Sequence, residues 1–328
     1  MTEEMTVIQR LSDATEVDGA LQRAKDEAER QIGLMREIAV DVIRQDANIV
    51  VGVNGSVARR EVTSGSDVDL FFLVRNGDVD KAKVVQSTFR ERLKSAGIKM
   101  PAHNGVFENP LPVEELLQRI GGEADTNEFT TRRMLFLLEG EWLHNSDGFH
   151  KVRIDLISHY VDNEIDDRKL CRYLLNDIIR YWRTICVDFE QKTADGAKPR
   201  AIRLIKLRFA RMMLYFGGVA AICKTKDMPA ADKRETLRQM FAVPPIDRLR
   251  DVFGVVETGP VLAAYATFLN SLDDADIRGQ LSLAGRSGME TEAYSELVEV
   301  ARDFRTALET LLVGPDSCHK EIASALLL

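Results

Sequence analysis

Apolar residues recur at three- and four-residue steps over residues 19–47. Leu21, Ala24, Ala28, Ile32, Met35, Ala39, Val42 and Ile43 mark one face of a long amphipathic helix. The texture then changes. Asn48-Ile49-Val50-Val51-Gly52-Val53 is short, apolar and rich in β-branched residues, which favours a buried strand, and Asn54-Gly55-Ser56 stops it. A second strand is predicted from Asp67 to Val74, ended by Arg75-Asn76-Gly77-Asp78. A helix follows over 79–96 and ends at Gly97. Residues 98–109 are broken by Pro101 and Asn104-Gly105 and read as short or edge strands. Beyond Pro112 the pattern predicts no further strand. Helical periodicity runs through 112–120, 126–140, 147–165, 168–192, 200–223, 257–273 and 290–312. Breaks fall at Asp195-Gly196, Lys198-Pro199, Pro244-Pro245 and Gly314-Pro315.

The expected fold class is therefore α+β, with a small α/β core containing a mixed sheet and a mostly α-helical C-terminal region. A length of 328 residues fits two domains at about 100–200 residues each. They are placed at 1–150 and 151–328. With 45% hydrophobic and 29% charged residues, the chain has enough apolar material for a sizeable core. No apolar run reaches the roughly 18 residues of a membrane helix, and the acidic N-terminus MTEEMTVIQR lacks a secretory layout. The cysteines at 171, 186, 223 and 318 have no metal-ligand spacing and form no disulfide framework. A reduced, cytoplasmic protein without a membrane partner is expected. The five histidines include no HExxH pattern, so no zinc site is read.

The net charge of -8 argues against a general nucleic-acid coat protein. Residues 168–213 oppose it, with twelve Lys/Arg against four acids. Such a basic patch on an acidic chain points to a specific anionic ligand.

Candidate chemistry lies in Val51–Val74. Asp67 and Asp69 alternate with core positions Val68 and Leu70, so on a strand both leave the same face, about 7 Å apart. Two such carboxylates repel unless a cation sits between them. Oxygen ligands of this kind suit Mg²⁺, with Mn²⁺ the alternative. Gly55-Ser56 turns from a strand into a helix, where the amides and the Ser56 hydroxyl can hold phosphate oxygens. Arg59 and Arg60 follow, either on phosphate or in solvent. Asn176, Arg180 and Arg183 share the polar face of the helix carrying Trp182. They face either a cleft or water, as do Arg203 and Lys206. Trp142 and Trp182 read as packing residues.

Gly55-Ser56, ten residues and then Asp67-Val68-Asp69, within strand–helix–strand, resembles the nucleotidyltransferase superfamily with the DNA polymerase β-like core. With Thr130–Glu139 and Leu174–Arg183, the chain resembles more narrowly a bacterial nucleotidyltransferase family related to the enzyme that uridylylates the PII protein. The resemblance covers most of 48–223. It implies that Asp67 and Asp69 ligate Mg²⁺, that Gly55 and Ser56 hold the triphosphate of an NTP, ATP foremost, and that a helical-region lysine, Lys206, meets it. It also implies a third carboxylate acting on the acceptor hydroxyl. No apolar strand carries an obvious one. Glu108 is the first candidate, with Asp125, Glu128 and Asp155 behind it. The acceptor is a protein, a second nucleotide as in antiviral second-messenger synthases, or a tRNA 3′ end, which the acidic composition disfavours. A nucleotide sensor without turnover is the non-enzymatic alternative.

Overall fold

The computed structural model describes residues 14–44, 46–101, 105–194, 196, 198–313 and 321–325. The long first helix, α1, spans Ala14–Ile43. Its buried stripe, Ala24, Ala28, Ile32, Met35, Ala39 and Ile43, follows the predicted three- and four-residue steps. Strand β1 (Ile49–Asn54) is buried throughout. A single turn, α2 (Gly55–Ala58), leads into a loop and then β2 (Asp69–Val74). Helix α3 (Val79–Ser95) is capped by Asp78, whose carboxylate accepts from the Asp80 and Lys81 amides.

Three sequence expectations change here. Asp67 and Val68 lie before β2 rather than in it. Residues 98–101 and 105–109 contain no strand. Gly105–Phe107 form a 3₁₀ turn, and β3 is only Leu111–Pro112. Asn104 lies outside the described residues. A fourth strand, β4 (Glu141–His144), follows α4 (Val113–Gln118) and α5 (Asn127–Leu138), where no strand was expected. Four residues with charged ends carry too little alternation to be legible as a strand.

The sheet order is β3-β2-β1-β4, mixed: β1 runs antiparallel to β2 and β4, while β2 and β3 are parallel. Alternation divides its two faces. Val51, Val53, Leu70, Phe72 and Val74 pack on α1 and α3. Val50, Phe71 and Leu73 pack on the helices that follow. Gly52 makes this second face possible, because a Cβ there would lie 2.1 Å from the Phe71 ring.

The remaining helices are α6 (Ser146–Tyr160), α7 (Arg172–Thr193), α8 (Arg200–Lys206), α9 (Met212–Lys224), α10 (Ala230–Met240), α11 (Pro245–Phe253), α12 (Val255–Asp273), α13 (Ala275–Leu281) and α14 (Glu292–Leu312). Residue 150 lies inside α6, and one apolar cluster runs from Phe71 through Phe149 to Leu174 and Leu214. A second cluster joins α9 and α11 to α12 and α14, and Ala24 of α1 enters it. Ile322, near the C-terminus, is fully buried in the first cluster. Among the described residues, no helix is long and apolar enough to cross a membrane.

Candidate active site

Gly55, Ser56, Asp67, Asp69 and Lys206 line one cavity of about 100 Å³. Asn54 and Asp69 are register partners at the end of the central strands β1 and β2, so the pairing sets Asp69 beside the start of α2. Gly55 has a left-handed backbone (φ +76), and a Cβ there would lie 2.9 Å from Asp69 Oδ2. Only glycine combines that conformation with so close an approach. Asp67 is positioned from outside the sheet. The Val68 amide donates to the Lys99 carbonyl at 3.0 Å. The Ser64 amide donates to Asp273 at 2.7 Å, and Arg278 donates to the Gly65 carbonyl at 2.6 Å. The loop before Asp67 is thus tied to the ends of α12 and α13.

Neither Asp67 nor Asp69 makes an ion pair among the described residues. Burial, then the neighbouring Asp67 charge, pushes Asp69 up to about 6. Burial disfavours the charged carboxylate and a like charge beside it adds to that. The amide of Asn54, 3% exposed, has no hydrogen-bond partner on either Oδ1 or Nδ2. Two neighbouring carboxylates, an orphaned amide and a glycine that opens the corner fit a cation and an oxygen-rich ligand. Among the described residues, no three His, Cys, Asp or Glu side chains are grouped to hold a metal. Asp67 and Asp69 are the available pair, and Mg²⁺ commonly uses one or two protein carboxylates.

Lys206 comes from the helical half. Crowding by the cleft walls, ahead of the Arg278 charge, lowers its ammonium to about 8, while Asp67 opposes that shift. At that value it remains mostly charged at neutral pH. Five residues further on, Arg211 lines the same cavity. A regular α-helix would turn Arg211 roughly 140° away from Lys206. Leu207–Arg211 is instead a π turn, whose i→i+5 bonding returns Arg211 to the Lys206 side. Sequence periodicity missed Arg211 for this reason.

It also missed Glu139, which sits just past α5 and is 4% exposed. Its carboxylate accepts the Gly55 amide at 3.0 Å, the Arg59 guanidinium, and Arg211 at 3.5 Å. Burial pushes its carboxyl up, but Arg59 and Arg211 outweigh that and hold it below the usual range. Buried arginines fix both flanking carbonyls: Arg248 donates to Leu138 O and Arg153 to Gly140 O, each at 2.6 Å. The Gly55 corner therefore rests on an anion held from several helices. The segment Thr130–Glu139 belongs to the family resemblance, but that gives Glu139 no role, because its partners lie far apart in sequence.

Arg59 lines this cavity too, but it is neither a free phosphate ligand nor solvent-exposed. It is buried between Glu61, at 2.7 Å, and Glu139. Arg60 pairs with Glu29 and Glu141. Arg180 donates to the Asp125 carboxylate at 2.9 Å and to its carbonyl at 2.5 Å. With Asn176 and Arg183 it lines a separate groove. Glu108 follows the 3₁₀ turn, is exposed, and lines neither cavity that contains Asp69. Asp125 is buried against Arg133, Glu128 pairs with Arg132, and Asp155 lies on α6 outside both cavities. Trp142 stacks under Arg36 and Trp182 on Tyr215, away from the carboxylates. Neither a protein-family model nor a curated protein matches this chain.

Proposed function

We propose that this protein is a Mg²⁺-dependent nucleotidyltransferase that moves a nucleoside monophosphate from an NTP, ATP foremost, to a hydroxyl on a protein or a nucleotide, releasing pyrophosphate. The observation that carries this reading is the convergence of Asp67 and Asp69 with Gly55, Ser56 and Lys206 on one cavity. The resemblance of Gly55-Ser56 and Asp67-Val68-Asp69 to the polymerase β-like superfamily points the same way. Asp67 and Asp69 would hold Mg²⁺, which when bound stabilises charge on the transferring phosphoryl group. Gly55 leaves room for phosphate oxygens at the corner, and the Ser56 hydroxyl can donate to one. Lys206 and Arg211 supply positive charge from the opposite wall, where preorganised cations favour the developing negative charge over the ground state. Glu139 keeps Gly55 and Arg211 in register with each other.

Incubation with α-labelled ATP and Mg²⁺ should release pyrophosphate and move label to an acceptor. Asp69→Ala should remove this turnover while thermal unfolding stays within a few degrees, since the side chain makes no ion pair that packing relies on. Turnover equal to the parent in that variant defeats the assignment. The carboxylates nearest this pair, Glu61 and Glu139, are already bound to Arg59, which favours a second reading, a nucleotide sensor. Mg²⁺-dependent ATP binding without any pyrophosphate release would select it.

A further inference from the structure

A second cavity, of about 380 Å³, adjoins the first. That volume falls in the range of about 300–1,000 Å³ typical of small-molecule sites. It shares Asp69, Lys206 and Arg211 with the first cavity but includes none of Gly55, Ser56 and Asp67, so it meets the carboxylate pair from the Asp69 end. Asn54 lines it. As the cross-strand partner of Asp69, Asn54 sends its side chain from the same face of the sheet. Leaving a buried amide unpaired costs about 1–3 kcal/mol. A hydroxyl, which both donates and accepts, can satisfy it. Beyond Asn54 the lining divides by chemistry. Phe107, Leu135 and Phe189 form an apolar wall, and Lys192 and Arg203 add positive charge. Lys192 is held by Asp188 at 3.1 Å, whereas Arg203 is exposed and has no ion-pair partner among the described residues.

We infer that this second cavity is the acceptor subsite and takes a phosphorylated, hydroxyl-bearing molecule of about mononucleotide size, its hydroxyl on Asn54, its phosphate on Arg203 and any flat ring on the apolar wall. The inference rests on the nucleotidyltransferase reading. In phosphoryl transfer the attacking and leaving oxygens lie roughly in line. With pyrophosphate at the Gly55–Ser56 corner, the attacking hydroxyl arrives from the Asp69 end, which is this cavity. A cavity that shares Thr63, Ser66 and Leu269 with the first, and another that shares Arg59, touch neither Asp67 nor Asp69. In the transfer, the acceptor oxygen forms a bond to the α-phosphorus. The bond from that phosphorus to the bridging oxygen of the β-phosphate breaks, and its electron pair leaves with pyrophosphate. The hydroxyl proton passes to water in the cavity.

The test uses the full chain loaded with Mg²⁺ and α,β-methylene-ATP, into which AMP or ribose 5-phosphate is titrated by calorimetry. AMP should bind the loaded protein, with ribose 5-phosphate at least tenfold weaker because it lacks the ring. Equal binding of the two supports the same class with a sugar phosphate as its source. Arg203→Glu, an exposed substitution that leaves packing alone, should weaken AMP at least tenfold and leave the ATP analogue within twofold. Failure of AMP and ribose 5-phosphate to bind the loaded protein, or simple competition with the analogue for one site, overturns the acceptor subsite and leaves the donor reading standing. Transfer of label to a protein in preference to AMP also overturns it. Failure of the analogue to bind with Mg²⁺ ends both readings.

Discussion

Gly55 shows how one residue sets the local chemistry. Its left-handed backbone and the 2.9 Å gap between an added Cβ and Asp69 Oδ2 leave no room for a side chain. Gly55→Ala should cost about 1–2 kcal/mol of stability from the left-handed conformation alone, measured by denaturant unfolding. Pyrophosphate release should fall much further than that loss explains, because Asp69 has to move. An unchanged turnover would show that the corner does not need this approach. Gly55-Ser56 and Asp67-Val68-Asp69 were legible as a pair because their residue types and spacing already carry the chemistry. Asn54 was read only as a strand terminator. Its significance comes from being buried without a partner, which no local pattern reveals. Arg59 makes the complementary point, since it lines the same cavity but is already bound to Glu61 and Glu139. An arginine near a phosphate corner looks available until its carboxylate partners are known, and Glu139 is 80 positions away.

At the scale of elements, buried charge networks fix how the helices sit. Arg133 of α5 is fully buried and bonds Asp125 and, on α7, Asp177, with Arg180 of α7 also on Asp125. Removing one partner of such a network leaves an uncompensated buried charge, worth about 3–5 kcal/mol. Asp125→Asn should therefore destabilise by about that amount in denaturant titration. Burial pushes the Asp125 carboxyl up, but its bonds to Arg133 and the Gly121 amide win and hold it below the ordinary 3.8. Its folded value is depressed, so its contribution is complete above about pH 4 and is lost as pH falls further, through the folded value. The parent should lose stability on that acid limb, and Asp125→Asn should show a shallower one. Equal limbs would mean that Asp125 is not the titrating group. The π turn Leu207–Arg211 makes the same point about elements. Periodicity found the helix over 200–223 and placed Lys206, yet the extra residue per turn decided that Arg211 joins it.

Across the whole molecule, α1 and the C-terminal segment bind the layers together. Helix α1 contributes Ala24 to the helical cluster and Ala28 through Ile43 to the sheet cluster. Ile322 is fully buried beside the sheet's helical face. Ile322→Ala should cost about 2–5 kcal/mol, as large-to-small changes in a packed core do. Cooperative unfolding by circular dichroism would check this, and a loss under 1 kcal/mol would mean that the segment is not part of the core. The cleft holding the candidate site lies between one end of the two central strands and α8 with its π turn, so residues 54–69 and 203–211 meet across it, with α5, α7 and α12 adding to its lining. Sequence alone determined the long first helix, the two central strands, most of the later helices and the acidic pair with its glycine–serine corner. Those are set by periodicities and residue types that act over a few positions. Tertiary structure alone decided that Lys206 and Arg211 face the aspartates and that Glu139 supports the corner. It also decided that Arg59 and Arg180 are bound to carboxylates and that Glu108 is left outside. Each of these depends on which distant charge lies within hydrogen-bond reach after burial, and the energy of a buried charge is set by that neighbour rather than by adjacent residues in the chain.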